Sequence, residues 1–229
     1  MIAENRIAYT GCSSIDKLLV GGFPTKAISL VYGEAHVGKT TLAMQCALAA
    51  MKRGFKTIYI DSDNAFSVPR LEQLAILSGP DFLRQFLLTS PRNFREQSET
   101  LEEMEKYVAP ETSLIVIDTI TSLYRMEIGA PSRTFRMNKD LNRQLAHLSK
   151  MSKEKDLVVL LTSQVHFAFK KGIIEPPASR ILNYWSDLIM QLKQAPGMGM
   201  REAFLKKYRG KIANKVCSYK LTEFGISDV

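Results

Sequence analysis

The chain has 229 residues, 45% of them hydrophobic, and its 31 lysines and arginines outnumber 23 acidic residues to give a net charge of +8. This length suits one α/β domain, and no uncharged apolar run reaches the roughly 18 to 20 residues that a bilayer span needs. The sequence begins without an export signal and its three cysteines lack metal-ligand spacing, so we expect a cytoplasmic protein without a zinc site.

The first predicted strand and helix flank a glycine-bearing turn. Apolar residues predict a strand over 28–32 and a helix over 40–53. Between them, Gly33-Glu34-Ala35-His36-Val37-Gly38-Lys39-Thr40 reads G-x-x-x-x-G-K-T, which in this setting is a phosphate-binding loop. Its N–H groups point at phosphate oxygens and the helix adds its positive end. We therefore expect Gly33 to Thr41 to bind a nucleoside triphosphate, with Lys39 on the β- and γ-phosphates and Thr40 on Mg²⁺.

Strands and helices alternate through the rest of the predicted core. Strands are predicted at 57–60, 86–89, 114–117 and 157–161, and helices from about 69, at 94–107 and at 136–155. This alternation is typical of a mostly parallel sheet with helices on both faces. The stretches 188–192, 202–208 and 216–221 show polar alternation, which predicts an antiparallel edge at the C-terminal end of that sheet. We expect a single α/β domain over 1–229, with 1–26 leading into it.

Polar residues follow three of the predicted strands, at the edge where an open α/β sheet binds its ligand. Asp118 ends an apolar strand and is placed to hold Mg²⁺ opposite Lys39 and Thr40. Asp63 is placed to polarise an attacking water, and Gln164 to detect the γ-phosphate and move the loop behind it. Each aspartate has an alternative role as an ordinary helix N-cap, since aspartate is favoured there.

Basic residues cluster in two regions that we interpret as loops. One contains Arg125, Arg133 and Arg136, and the other contains Lys170 and Lys171. Such clusters favour a polyanionic partner, although a solvated basic face is the alternative. Tyr124 beside Arg125 combines an aromatic ring with a cation, as single-stranded DNA binders do, and we prefer a DNA contact there. His166 borders the second region and is either a polar contact to DNA or a spacer.

Several short segments occur in the order in which one known family arranges its motifs. They are Tyr9-Thr10-Gly11, Gly21-Gly22-Phe23, the phosphate loop, Asp61-Ser62-Asp63-Asn64, Leu114 to Asp118, Ser122-Leu123-Tyr124-Arg125 and Thr162-Ser163-Gln164-Val165-His166. Together they resemble the RecA-type recombinase core, and the resemblance covers nearly the whole chain. The expected lack of an N-terminal helix-hairpin-helix domain and the ending Leu221 to Asp228 most resemble the archaeal paralogues of the RadA recombinase.

The resemblance implies a RecA-like P-loop NTPase that binds ATP, Mg²⁺ and DNA and takes part in DNA repair and homologous recombination. It implies an accessory factor, with weak ATP hydrolysis and little or no strand exchange. The implied partners are single-stranded or branched DNA and a protein, either the recombinase RadA or a Holliday-junction resolvase. The implied assembly is a monomer or dimer.

The sequence departs from the recombinase pattern at the residue that would activate water. Asp63 stands where recombinases place a glutamate, and its side chain is shorter by one methylene, which weakens the positioning of the water. Lys26 and Asn64 replace glycines in turns. Two other functions stay open: a DNA-stimulated ATPase that forms filaments and exchanges strands itself, and a small-molecule kinase, which would not bind DNA in a salt-sensitive way.

Overall fold

Parallel strands form the centre of the computed structural model, which describes residues 6–75, 84–168 and 173–229. The strands are β1 (Ala27–Gly33), β2 (Lys56–Asp61), β3 (Phe86–Thr89), β4 (Thr112–Asp118), β5 (Val158–Gln164), β6 (His166–Ala168), β7 (Ile173–Glu175), β8 (Leu188–Gln194), β9 (Met200–Tyr208), β10 (Lys211–Thr222) and β11 (Gly225–Ser227). Within the described residues, nine of them form one sheet in the order β11-β10-β9-β8-β1-β5-β4-β2-β3, and β6 and β7 form a separate antiparallel ribbon.

The pairing of neighbouring strands changes once across this sheet, from parallel to antiparallel. The six strands from β3 to β8 in the sheet order pair in parallel. β9, β10 and β11 then add by antiparallel pairing. Strands with both faces covered are buried along their whole length and mostly apolar, as β1 and β4 are, whereas β10 alternates and is mostly exposed. The predicted parallel sheet with an antiparallel C-terminal edge is confirmed.

Helices cover both faces of the sheet. They are α1 (Ser13–Leu18), α2 (Lys39–Lys52), α3 (Val68–Leu74), α4 (Phe94–Glu103), α5 (Ser122–Glu127), α6 (Pro131–Glu154) and α7 (Ser179–Trp185). Residues of α1, α2 and α3 belong to one buried apolar cluster, and residues of α4 to α7 belong to a second. Along β1, Val31 faces the first cluster while Leu30 and Tyr32 face the second. No described helix is long and apolar enough to cross a membrane.

Local signals explain where several helices begin. Ser67 caps α3 by accepting the Arg70 N–H at 3.3 Å, and Asn93 caps α4 by accepting the Glu96 N–H at 2.9 Å. Pro131 occupies the first turn of α6, a position where its missing N–H costs nothing. The helix predicted at 136–155 therefore begins five residues earlier, and Arg133 and Arg136 lie on a helix rather than in a loop.

Short elements are the ones that the sequence pattern did not predict. Helices α1, α5 and α7 have six or seven residues, too few to show a 3.6-residue period against their neighbours. The helix predicted at 94–107 ends its regular part at Glu103 and continues as a single 3₁₀ turn. Lys26 and Asn64 replace glycines at positive φ angles of 58° and 52°, so both turns keep their left-handed conformation.

Candidate functional site

Three strands deliver the main polar residues of the site to one edge of the sheet. β1 ends at Gly33, β4 at Asp118 and β5 at Gln164. Gly33 is directly opposite Gln164 in the parallel ladder. Because carboxyl ends of parallel strands meet at the same edge, the phosphate loop, Asp118 and Gln164 lie together, as the sequence predicted.

The loop between β1 and α2 keeps its shape because two of its positions exclude a side chain. A Cβ added to Gly33 would lie 2.3 Å from the Leu192 carbonyl oxygen, and Gly38 has a φ of 97°. Glu34, Ala35 and His36 are exposed, whereas Val37 is buried and anchors the loop. The loop therefore presents its backbone N–H groups, followed by Thr40 and Thr41 in the first turn of α2, to the outside of the sheet edge.

The ammonium group of Lys39 is buried within its own loop. Its Nζ donates to the Gly33 carbonyl oxygen at 3.1 Å and to the Glu34 carbonyl oxygen at 2.6 Å, and the residue is 8% exposed. Burial lowers the pKa of this lysine, and the carboxylates of Asp118, Asp63 and Glu34 oppose that shift. Neutral carbonyls replace hydration incompletely for a buried cation, so this group would gain from an anionic ligand.

The carboxylate of Asp118 is the second buried charge of the site. Its Oδ2 accepts a hydrogen bond from the Tyr59 hydroxyl at 2.7 Å, and its Oδ1 accepts one from the Thr162 hydroxyl. Burial raises the pKa of Asp118, while the hydrogen bonds from Thr162, Tyr59 and Thr40 lower it. Thr40 therefore lies near Asp118, as shared coordination of Mg²⁺ requires.

Asp63 lies in an exposed turn just beyond β2. Its Oδ2 accepts a hydrogen bond from the Thr119 hydroxyl at 3.4 Å, next to Asp118 in sequence. The sequence did not single out Asp61, whose buried carboxylate accepts the N–H groups of Ala65 at 3.2 Å and Phe66 at 2.8 Å. Asp61 thus fixes the turn that carries Asp63, and no short-range sequence signal marks this role, because the N–H groups lie four and five residues farther along the chain.

A small pocket joins this edge to the helix that follows β4. It is lined by Asp63, Thr119, Thr121, Ser122, Arg125, Gln164 and Pro177. Thr121 and Ser163 share a buried hydrogen bond of 2.6 Å between their hydroxyls, which ties the start of α5 to β5. The pocket and this hydrogen bond therefore connect Asp63 and Gln164 to the N-terminal end of α5.

Sequence and structure comparisons give the same family. A sequence model described as Rad51 matches residues 5–229. This chain belongs to the Rad51 family. The DNA repair and recombination protein RadB of Thermococcus gammatolerans is 36% identical over 223 residues, covering 96% of this chain and 98% of that protein. The protein of the same name from Methanococcoides burtonii is 30% identical over 217 residues, covering 95% and 96%.

A solved structure supports the same placement. The structure entitled "Crystal structure of the RadB recombinase" superposes with a TM-score of 0.82 at 33% identity, covering 97% of this chain and all of that one. The RecA-like fold and the resemblance to archaeal paralogues of RadA are thus confirmed, and the Rad51-family relatives that carry this resemblance are named RadB. Membership supports a role in DNA repair and recombination.

The residues at the sheet edge fit a nucleotide with a divalent cation, as the Rad51-family fold leads one to expect. Gly33 and Gly38 leave room at the loop where a Cβ would intrude, and the buried Lys39 ammonium is partnered only by carbonyl oxygens among its described hydrogen bonds. The Asp118 carboxylate and the Thr40 hydroxyl are hard oxygen donors of the type that Mg²⁺ prefers. A bound cation would neutralise phosphate charge at this position.

The expected stacking role of Tyr124 is not supported. Its ring is 4% exposed, packs edge-on against Phe94 with centroids 5.8 Å apart, and its hydroxyl donates to the Asn138 Oδ1 at 2.7 Å. In a short helix, successive side chains point about 100° apart, so Tyr124 faces the core while Arg125 faces solvent. An adjacent aromatic and cation in sequence therefore did not mean an adjacent pair on the surface.

The other predicted DNA-contacting residues fall into two groups. Arg125, Arg133 and Arg136 are exposed, and Arg133 forms an ion pair with Glu127 at 3.5 Å. The sequence did not single out Phe135, which is 74% exposed between Arg133 and Arg136 in the chain. The backbone of His166 begins β6, and Lys170 and Lys171 lie outside the described residues.

Replacing Gly33 with alanine should destabilise the protein. The added Cβ would lie 2.3 Å from the backbone carbonyl oxygen of Leu192. That oxygen cannot move unless β8 shifts. We expect a loss of about 2 kcal/mol or more in the free energy of unfolding, as overpacking in a rigid site costs. Gly129→Ala is the matched control, because its Cβ would meet nothing within 4 Å. Urea unfolding of both variants checks this, and equal stabilities would contradict the described packing.

Proposed function

We propose that this protein binds ATP with Mg²⁺ and binds DNA, and acts as an accessory factor in DNA repair and homologous recombination. The observation that carries the proposal is the pairing of Gly33 with Gln164, which sets the phosphate loop beside the start of the segment leading to β6. Gln164 can then contact the γ-phosphate when it is present, and its loss on hydrolysis can change the conformation of that segment. On this proposal the nucleotide state changes the affinity of the protein for DNA or for a partner protein.

Slow hydrolysis follows from the position of Asp63. Its carboxylate is exposed and one methylene shorter than a glutamate, so a water held by it lies farther from the phosphate that Lys39 binds. Small displacements of this kind cost large factors in rate. We therefore propose that hydrolysis resets the nucleotide state slowly, with Asp63 orienting the water, Lys39 and Gln164 contacting the γ-phosphate, and Thr40 with Asp118 holding the cation.

The proposed partners follow from charge and family. The net charge of +8 and the exposed arginines at α5 and α6 favour nucleic acid, single-stranded or branched. A recombinase such as RadA or a Holliday-junction resolvase is the proposed protein partner, and the assembly is a monomer or dimer of a single domain over 1–229. This activity belongs at the chromosome, in the cytoplasm of the cell.

Removing the charge of Arg136 should weaken the binding of single-stranded DNA. Arg136 is exposed on α6, and the preceding residue, Phe135, exposes an aromatic ring that could stack on a base. For Arg136→Ala we expect affinity for single-stranded DNA to fall about fivefold and the salt dependence to lose about one phosphate contact. The measurement is fluorescence anisotropy of labelled DNA at several salt concentrations.

The matched control for this variant is Lys153→Ala on the same helix. It removes the same charge, but lies 17 residues farther along α6, about 25 Å away at 1.5 Å per residue. Lys153→Ala should keep the native affinity within about twofold, since only general charge is lost. An equal loss in the two variants would mean that the basic surface acts only through its overall charge.

Steady-state ATP hydrolysis with and without single-stranded DNA tests the proposed function against its alternative. We expect slow turnover that DNA leaves nearly unchanged. Strong stimulation by DNA, together with filaments on single-stranded DNA, would instead select a working strand-exchange recombinase. Nucleotide binding without any salt-sensitive DNA binding would favour a small-molecule kinase.

A further inference from the structure

Two hydroxyl groups from neighbouring strands hold the Asp118 carboxylate, one on each oxygen. The Tyr59 hydroxyl, from β2, donates to Oδ2 at 2.7 Å, and the Thr162 hydroxyl, from β5, donates to Oδ1. β2 and β5 flank β4, which carries Asp118. The Asp118 carboxylate is therefore held by hydrogen bonds from both strands that pair with β4.

Both hydroxyl groups are themselves immobile. Tyr59 and Thr162 are each 0% exposed. The Tyr59 ring packs edge-on against Phe66 with centroids 5.0 Å apart, and it lies tilted against Phe86 with centroids 5.7 Å apart, so packing on two sides holds the phenol at Asp118. Thr162 is in the interior of β5, where its backbone is fixed by pairing with Val31.

A buried hydroxyl at position 59 or 162 destabilises the fold unless it forms a hydrogen bond. Tyr59 belongs to an apolar cluster that contains Phe66 and Phe86, where phenylalanine would pack equally well without a polar atom to satisfy. A carboxylate that coordinates a metal through one lone pair needs its remaining lone pairs occupied by fixed donors to keep its orientation. Tyr59 and Thr162 meet that need, with one donor on each carboxylate oxygen.

We propose that Tyr59 and Thr162 are positioning residues that orient the Asp118 carboxylate for the divalent cation bound with the nucleotide. The proposal rests on the proposed function, because it presumes that a nucleotide and a cation bind at this edge. Neither residue is among those that we place at the nucleotide. Substituting either residue should therefore change only the Mg²⁺ concentration that nucleotide binding requires. The affinity for nucleotide without cation should stay unchanged.

The test uses Tyr59→Phe, Thr162→Val and Thr162→Ser in the full-length protein. Binding of a fluorescent ADP analogue is titrated at increasing Mg²⁺ and again in EDTA. In Tyr59→Phe and Thr162→Val we expect the Mg²⁺ concentration for half-maximal binding to rise about tenfold, the size typical of lost outer-shell partners. Thr162→Ser keeps the hydroxyl and should restore the native requirement, and affinity in EDTA should match the native protein throughout.

Tyr124→Phe is the matched control for the tyrosine variant. Like Tyr59, Tyr124 is buried, contacts a phenylalanine edge-on and donates one hydrogen bond to a side-chain oxygen, but that oxygen belongs to Asn138. Its loss should leave the Mg²⁺ requirement native. Far-ultraviolet circular dichroism establishes that each variant is folded, and should Tyr59→Phe fail to fold, the contrast between Thr162→Val and Thr162→Ser decides.

Three results would overturn the inference, and they differ. A native Mg²⁺ requirement in both Tyr59→Phe and Thr162→Val, with nucleotide still bound, overturns the positioning role and leaves the proposed function intact. A native protein that binds no nucleotide with or without Mg²⁺ overturns the proposed function, and the positioning role with it. An equal rise in Thr162→Val and Thr162→Ser would also contradict it, because the hydroxyl would then be irrelevant.

Discussion

Lys39→Ala should abolish tight nucleotide binding while leaving the protein folded. The Lys39 ammonium is buried and partnered by the carbonyl oxygens of Gly33 and Glu34, so its charge is available to a phosphate that approaches the loop. Hydrogen bonds to charged groups contribute about 1.5 to 3 kcal/mol each, so losing them should lower ATP affinity by about 100-fold or more. The fold should tolerate the change, because a desolvated cation is removed rather than created.

Isothermal titration with ATP and Mg²⁺ measures this effect, and Lys52→Ala provides the control. Lys52 is exposed in the last turn of the same helix, 13 residues from the phosphate loop lysine, so its loss should leave affinity within about twofold of native. Unchanged ATP affinity in Lys39→Ala would exclude the phosphate loop as the nucleotide site. It would thereby remove the basis of the proposed function.

Asp63→Glu should raise the rate of ATP hydrolysis. The longer side chain brings the carboxylate one methylene closer to the phosphate loop, and a well-placed general base contributes about 10²- to 10⁴-fold. We expect a gain of about tenfold in turnover, since the turn held by Asp61 is shaped for the shorter residue. The exposed position of Asp63 leaves room for the larger side chain without loss of stability.

Asp63→Asn completes this comparison. It keeps the size of the side chain but removes its basicity, so turnover should fall below the native rate while ATP affinity stays within about twofold. A coupled assay for released phosphate follows all three proteins under saturating ATP. Should glutamate give no gain and asparagine no loss, the water would be oriented by another residue.

The sequence was sufficient for the phosphate loop and for the main polar residues at the sheet edge. The G-x-x-x-x-G-K-T pattern has one structural solution after a strand, and a parallel sheet brings the ends of its strands together whatever its loops do. Asp118 and Gln164 could therefore be placed beside Lys39 from chain order alone. Their distance in sequence did not matter, because the sheet topology sets their distance in space.

The contacts around these residues required the structure. The hydrogen bond from Tyr59 to Asp118 depends on the register of β2 against β4, which an apolar run does not specify. Tyr124 was misassigned because α5 is too short to show a period, so its buried face was not recognised. Phe135 was missed for the related reason that the start of α6 was interpreted as a loop.

The central claim is that the nucleotide state controls DNA binding, and a single titration tests it most directly. Affinity for labelled single-stranded DNA is measured without nucleotide, with ADP and with a non-hydrolysable ATP analogue, for the native protein beside Lys39→Ala. We predict that the analogue changes the native affinity by about fivefold or more, in either direction, and leaves Lys39→Ala unaffected. Equal DNA affinity in all three nucleotide states of the native protein would contradict the account.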